Sequence, residues 1–216
     1  MWDRCPLQWS YVYVEKFPRG PAGPALTDGK AVHAGIASYL AGKSWKDSIS
    51  RELAVYDDPD EREYHQVSVR HMVENVISSI RKREFDVIGI EKRVSGVGFL
   101  GYVDCLAKVD GIPTMIDWKT TNKPYDQKLV DGHNQLTAYA WLLQPETYRL
   151  CYVTILKGVN DVEWWFTNRT PDQIRDYQEK VNVTRIEMEK GNYHAKDGWH
   201  CGWCDFQDIC EEKADF

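Results

Sequence analysis

The sequence of this 216-residue chain predicts a mixed α/β (α+β) fold, in which a central mixed sheet is flanked by helices. Three features predict it. Apolar residues recur at helical spacing through the first 86 positions, the pattern turns to that of strands from Val87, and helix and strand patterns then alternate toward the C-terminus. The length suits a single domain, 1–216, with a sizeable core. Within it, 1–86 is a helical N-terminal part, 87–168 the sheet-bearing core, and 169–216 a helix followed by a cysteine-bearing tail.

Cys5 to Phe17 mixes aromatic and polar residues and predicts a short helix. The run Pro18-Arg19-Gly20-Pro21-Ala22-Gly23-Pro24 ends it, because proline and glycine together disfavour both helix and sheet. Thr27 or Asp28 can cap a second helix that runs to about Leu40 and carries His33. After Pro59, residues Val69, Val73, Val76, Ile77 and Ile80 fall at i, i+4, i+7, i+8 and i+11, one apolar stripe on a longer helix. Val87–Val94, Phe99–Val109 and Ile112–Thr120 are rich in β-branched and aromatic residues, are divided by glycine-bearing turns, and read as three strands. Helical spacing returns from about Lys128 to Leu143. Two strands, Tyr148–Lys157 and Val162–Asn168, then flank the turn Gly158–Asp161, and Pro171 opens a last helix to about Lys190.

Asp110-Gly111 is a strong signal for a two-residue hairpin, since a type I′ turn needs positive φ at both central positions. That turn pairs Val109 with Ile112 and sets Asp104 opposite Asp117. Alternation along the strands places Tyr102 and Asp104 on the same face as Asp117 and Lys119. Directly opposed carboxylates repel and destabilise a bare sheet, and a divalent cation converts that repulsion into chelation. Hard carboxylate oxygens suit Mg²⁺ or Mn²⁺, and Lys119 could act on a water or on charge building at a phosphate. The alternative is a solvated hairpin face carrying a salt bridge from Lys119 to Asp117 or Asp104. Gln135 and Tyr139, four apart on the next predicted helix, share one of its faces. His33 can ligate a metal through a neutral imidazole or serve as a hydrogen-bonded buried histidine.

The formal net charge of −6 argues against an all-over basic surface. Contact with a polyanion must come from local patches such as Arg81-Lys82-Arg83, Lys92-Arg93 and the stretch Lys119 to Lys128, or from bound cations. No apolar run reaches the roughly 18 residues of a membrane span, and no signal-peptide pattern is present, so the expected location is the cytoplasm, away from membranes. In that reducing compartment the six cysteines favour thiols over disulfides. Cys105 and Cys151 fall within strand patterns as small buried hydrophobes. Cys201, Cys204 and Cys210 read Cys-x2-Cys-x5-Cys, and Cys5 adds a fourth thiolate if the two ends of the chain meet. Four thiolates suit tetrahedral zinc as well as an iron-sulfur cluster, so the ligand set alone leaves both open.

Taken jointly, Cys5-Pro-Leu-Gln-Trp9, Gly29-Lys30-Ala31-Val32-His33, Gly101-x-x-Asp104, Asp117-x-Lys119, Gln135-x-x-x-Tyr139 and the cysteine trio ending at Cys210 occur in an order that resembles the PD-(D/E)XK nuclease superfamily. The resemblance is to its RecB-like branch, which includes the CRISPR-associated adaptation nucleases and the AddB nuclease domain. It implies a restriction-endonuclease-like sheet. It further implies that His33, Asp104 and Asp117 bind catalytic Mg²⁺ or Mn²⁺ with the Trp118 carbonyl, and that Asp104, Asp117 and Lys119 are catalytic. Gln135 and Tyr139 would position DNA, with Glu91, on the strand before the hairpin, at a family acidic position on the substrate side. Cys5, Cys201, Cys204 and Cys210 would hold a four-iron, four-sulfur cluster, with zinc the alternative occupant, as a structural clasp.

The implied activity is metal-dependent hydrolysis of DNA by an exonuclease acting on single strands or DNA ends. Its setting would be recombination, repair or CRISPR adaptation, alongside proteins of those pathways, in the cytoplasm of a bacterial or phage-infected cell. The rival is a non-catalytic iron-sulfur DNA-binding or adaptor module of the same fold. Two departures stand out: Val103 precedes Asp104 where the superfamily motif names proline, and the lead-in before Cys5 is short.

Overall fold

The computed structural model describes residues 4–96, 99–143, 148–159 and 161–214. Asn160, in the expected turn after the fourth strand, lies outside them. The chain forms two compact units, one of Gly23–Arg175 and one of Met1–Ala22 with Asp176–Phe216.

The larger unit is built on a five-stranded sheet in the order β1-β2-β3-β4-β5, where β1 is Phe85–Gly96, β2 Phe99–Val109, β3 Ile112–Thr121, β4 Arg149–Leu156 and β5 Val162–Thr167. Neighbouring strands are antiparallel except β3 and β4, which run parallel and therefore need a helical crossover. The sheet is mixed, as the sequence predicts. At the β2–β3 turn, Asp110 and Gly111 have φ of +53° and +78°, the two positive values a type I′ hairpin requires. The register follows from it, with Val109 opposite Ile112 and Cys105 opposite Ile116.

Both faces of this sheet are covered, and alternation along the strands decides what meets each layer. Cys105, Ala107, Ile116, Trp118, Val153 and Ile155 share a buried cluster with residues of helices α2 (Pro24–Leu40) and α4 (Pro59–Arg81). The whole predicted α4 stripe, Val69, Val73, Val76, Ile77 and Ile80, is buried there. Leu106, Met115, Leu150 and Tyr152 project the other way and pack with Leu136, Tyr139 and Ala140 of helix α6 (Asn134–Leu143).

Three local features differ from the sequence expectation. Helix α2 begins at Pro24 with Gly23 as its N-cap, so Thr27 and Asp28 lie inside it and are buried. Proline has a preset φ and no N–H to lose, which lets the helix start one turn early. Helix α3 (Trp45–Glu52) was not legible, because Ile49 is its single fully buried side chain. It docks where Gly35 offers no side chain: a Cβ there would lie 3.0 Å from Val73 Cγ2 and 3.1 Å from Ile49 Cγ1. Finally, the helix expected over 128–143 is broken into α5 (Gln127–Gly132) and α6. The buried Arg169 guanidinium causes the break, donating to the carbonyls of Val130 at 2.9 Å and His133 at 3.2 Å and to Thr137 Oγ1 at 2.8 Å. Carbonyls left over at a helix end need such partners.

In the smaller unit, helix α1 (Pro6–Tyr13) is capped by Cys5, whose Sγ accepts from Gln8 N at 3.4 Å. Tyr11 packs between Phe17 and Phe206. A 3-10 turn at Trp199–Trp203 and helix α8 (Gln207–Ala214) follow helix α7 (Pro171–Glu189), of which residues from Asp176 onward belong to this unit.

Gly35→Val pushes a Cβ and its two methyl groups into the α3 and α4 side chains and is expected to cost about 1–3 kcal/mol, measured as a lower urea midpoint with an unchanged slope.

Candidate functional site

Asp117 and Lys119 project from β3 toward α6, while Ile116 and Trp118 between and before them point into the opposite core. Asp117 is 2 % exposed. Its Oδ1 accepts from Gln135 Nε2 at 2.7 Å, and its Oδ2 meets Lys119 Nζ at 2.6 Å as an ion pair. Lys119 Nζ also donates to Gln135 Oε1 at 2.9 Å. Gln135 Nε2 donates to Tyr139 Oη at 3.1 Å, and that hydroxyl donates to the Tyr102 carbonyl at 2.7 Å. Tyr139 needs Gly101 to reach this position, because a Cβ there would come within 3.2 Å of its ring. The glycine of Gly101-x-x-Asp104 thus has a packing reason.

A second cluster adjoins the first. Asp104 Oδ2 accepts from the Trp118 backbone N at 2.8 Å and lies 3.3 Å from His33 Nδ1 on α2. The paired β2–β3 register ends at Cys105 and Ile116, one step short of Asp104 and Asp117. Beyond it, the Asp104 side chain takes over the hydrogen bond to Trp118. Among the described residues, His33, Glu91 and Asp104 form the group whose ligand atoms all lie within 4.8 Å of one another. The expected metal set of His33, Asp104 and Asp117 is therefore differently arranged: Glu91 stands beside His33 and Asp104, and Asp117 belongs to the lysine cluster. Glu91 reaches this place from a φ of +48° inside β1, where a side-chain-bearing residue is strained by roughly 1 kcal/mol. Trp118 contributes its backbone beside a buried ring, and lines with His33, Glu91, Asp104 and Lys119 an open cavity of about 630 Å³.

Electrostatics mark the two clusters as short of positive charge. Burial raises the Asp117 carboxyl to about 6, with Asp104 adding to the rise and Lys119 opposing it. Burial and then Asp104 raise Glu91. For His33, burial acts to lower the pKa, but hydrogen bonding and charge from Asp104, then Asp117, outweigh it and the net direction is up. Tyr139 is pushed up to about 12, chiefly by burial, and stays a neutral hydroxyl. Oxygen and imidazole donors of this kind fit a hard or borderline divalent cation, and a cation here would offset the charge that burial now disfavours.

A family model of the PD-(D/E)XK nuclease superfamily matches residues 2–211. The chain belongs to this superfamily. It is also similar to human mitochondrial genome maintenance exonuclease 1, with 27 % identity over 117 residues, 50 % of this chain and 32 % of that protein. The match thus spans about a third of the human protein. Among solved structures, that of a candidate exonuclease from Eubacterium rectale superposes with a TM-score of 0.56 at 13 % identity, over 92 % of this chain and 77 % of that one. This second likeness concerns the fold. Among the described residues of the PD-(D/E)XK chain, no helix is long and apolar enough to cross a membrane.

The cysteines separate as the sequence suggests. Cys105 and Cys151 are fully buried in the core, and burial pushes the Cys105 thiol up to about 12 and Cys151 upward as well. Cys5, Cys201, Cys204 and Cys210 line one cavity of about 140 Å³ in the smaller unit. Gln8 Nε2 approaches Cys204 Sγ at 3.5 Å. Burial raises the Cys210 thiol, followed by the charges of Cys5, Cys204 and Cys201.

Sequence reasoning missed Tyr152, Arg169 and His133, which contact the Gln135 and Lys119 network or the backbone that carries it. Arg169 and His133 have no local signal. Tyr152 pairs with Asp117 in the parallel register, and that register cannot be read from the β4 sequence alone.

Protons compete with a cation for carboxyls whose pKa is raised, so apparent Mn²⁺ affinity is expected to strengthen as pH rises through about 6. Metal-free protein, in contrast, loses stability from near 3.8, the ordinary value, up to about 6, because the folded state holds a proton that the unfolded chain has released. In thermal melts, Mn²⁺ should raise Tm more at pH 8 than at pH 5, and Asp104→Asn should abolish the increase.

Proposed function

We propose that the chain is a Mg²⁺- or Mn²⁺-dependent deoxyribonuclease, acting as an exonuclease on single-stranded DNA or DNA ends. The observation that carries this reading is the junction of two clusters: His33, Glu91 and Asp104 as a ligand group, and Asp117, Lys119 and Gln135 as a bonded network beside it. A bound divalent ion supplies Lewis-acid polarisation of the scissile phosphate and lowers the pKa of an attacking water. His33, Glu91 and Asp104 would hold that ion, and Asp117 and the Trp118 carbonyl would be further ligands. Lys119 Nζ would donate a hydrogen bond to negative charge that develops on the phosphate or the water. Gln135 keeps Lys119 and Asp117 in register, and Tyr139 anchors Gln135 to the β2 backbone. These groups are engaged with one another, with a cation or with phosphate charge, and phosphate contacts carry no sequence information, so cleavage is expected to be insensitive to sequence.

A role in bacterial or phage recombination, repair or CRISPR adaptation belongs to the same proposal, as does placement in the RecB-like branch. It is supported by the order of the motifs from Cys5 to Cys210. The four cysteines are assigned to a four-iron, four-sulfur cluster. Zinc sites favour two close pairs of thiolates, whereas one distant cysteine with a Cys-x2-Cys-x5-Cys trio lining a single cavity supports the cluster. Cys5 doubles as the α1 N-cap, so such a group would tie the start of α1 to the α8 segment.

On end-labelled DNA with Mg²⁺ or Mn²⁺, the purified chain is expected to release nucleotides or short fragments. Asp117→Ala and Lys119→Ala should each lower the rate at least about 100-fold. Variants that cut as fast as the parent would remove the catalytic assignment, and binding without cutting by the parent would leave a DNA-binding module. Protein isolated without oxygen should be brown, with absorption at about 400 nm from thiolate-bound iron. Colourless protein with one zinc per chain would refute the cluster.

A further inference from the structure

Two residues outside the superfamily motifs meet the lysine network from its far side. Tyr152, fully buried, lies beside Asp117 in the β3–β4 register. Its hydroxyl is 3.3 Å from Gln135 Oε1 and 2.7 Å from His133 Nδ1. Lys119 Nζ sits 5.2 Å from the centre of its ring, within the range of a cation–π contact. His133 occupies the break between α5 and α6 and is half-buried, lining a surface cavity with Asp126 and Lys128.

Donor and acceptor roles around Gln135 are fixed by chemistry. An ammonium has only protons to give and an ionised carboxylate has none, so Gln135 must turn Oε1 to Lys119 and Nε2 to Asp117. Oε1 then faces the Tyr152 hydroxyl at 3.3 Å, a long contact in which the hydroxyl is the donor, since the amide oxygen carries no proton. The shorter contact to His133 takes its direction from the imidazole tautomer: with the proton on Nδ1 the histidine donates to Tyr152 and leaves the tyrosine proton for Gln135. In that tautomer the line runs from His133 Nδ1–H through the Tyr152 hydroxyl to Gln135 Oε1, with Lys119 donating to the same oxygen.

The geometry points to Tyr152, held by His133, as a positioning residue for Lys119: its hydroxyl keeps the Gln135 amide oxygen turned to the lysine, and its ring supports the ammonium. The need for it arises when the site is in use. With a cation drawing on Asp117 and a phosphate on Lys119, the two charged contacts that orient the amide would weaken and leave those to Tyr152 and Tyr139. Arg169 holds the backbone carbonyl of His133 and so fixes the start of this line. The kinetic consequence rests on the nuclease reading; the arrangement itself does not.

The test combines steady-state cleavage of a single-stranded oligonucleotide at saturating Mg²⁺ with ¹⁵N NMR of Lys119 Nζ in the metal-free full chain. Tyr152→Phe, which keeps the ring, and His133→Ala should each lower kcat about tenfold and leave KM for DNA within about twofold. His133→Asn, whose side-chain amide can donate from the Nδ1 position, should recover most of what His133→Ala loses. Both damaging variants should shift or broaden the Lys119 resonance. Parental kcat with an unmoved resonance overturns the proposal, as does a raised KM at parental kcat, which would make these residues DNA contacts. If the parent chain cuts no DNA, the nuclease reading fails and the Lys119 resonance alone decides. Should Tyr152→Phe fail to fold, the His133 pair, at a half-exposed position, carries the comparison.

Discussion

A carboxylate buried on a sheet face against a lysine governs the rest of the larger unit. Asp117 is removed from water, and burial makes its charge costly unless partners compensate. Lys119 supplies the countercharge, Gln135 the hydrogen bond, and α6 must lie on that face to deliver Gln135. The α5–α6 break, and the buried Arg169 that takes the carbonyls around it, follow from this need. A straight helix through His133 would leave those carbonyls to its own N–H groups and deprive the guanidinium of its partners.

The same constraint explains why the two clusters abut and do not merge. The hairpin register carries β2 and β3 together as far as Cys105 and Ile116, and there Asp104 exchanges strand pairing for a side-chain bond to Trp118 N. Asp104 there stands beside His33 and Glu91, close enough for its charge to act on Asp117. Glu91 joins by adopting a left-handed backbone within a strand. Strain of that kind persists only where surrounding structure imposes it, and it commonly accompanies a site that binds something.

Much of this was legible in the residues. Asp110-Gly111 demands one turn type, which sets one register, and the α4 stripe from Val69 to Ile80 has one burial face. The shared face of Asp117 and Lys119 follows from a period of two and that of Gln135 and Tyr139 from a spacing of four, while the meeting of the two faces does not. What escaped did so for separate reasons. Helix α3 contributes a single fully buried residue and is docked by the absence of a side chain at Gly35. The early start of α2 depended on proline chemistry that competed with two good capping residues.

Sequence by itself determined the strand faces, the hairpin, the order of the motif residues and the division of the cysteines into buried and clustered sets. Local periodicity and turn stereochemistry act over a few residues, so a reader of the chain can apply them. Only the tertiary structure decided that Glu91 stands with His33 and Asp104, and that Tyr152 and His133 reach the lysine. Those encounters join a parallel strand, a helix break and a strained residue far apart in the chain, and no local rule carries information over such distances.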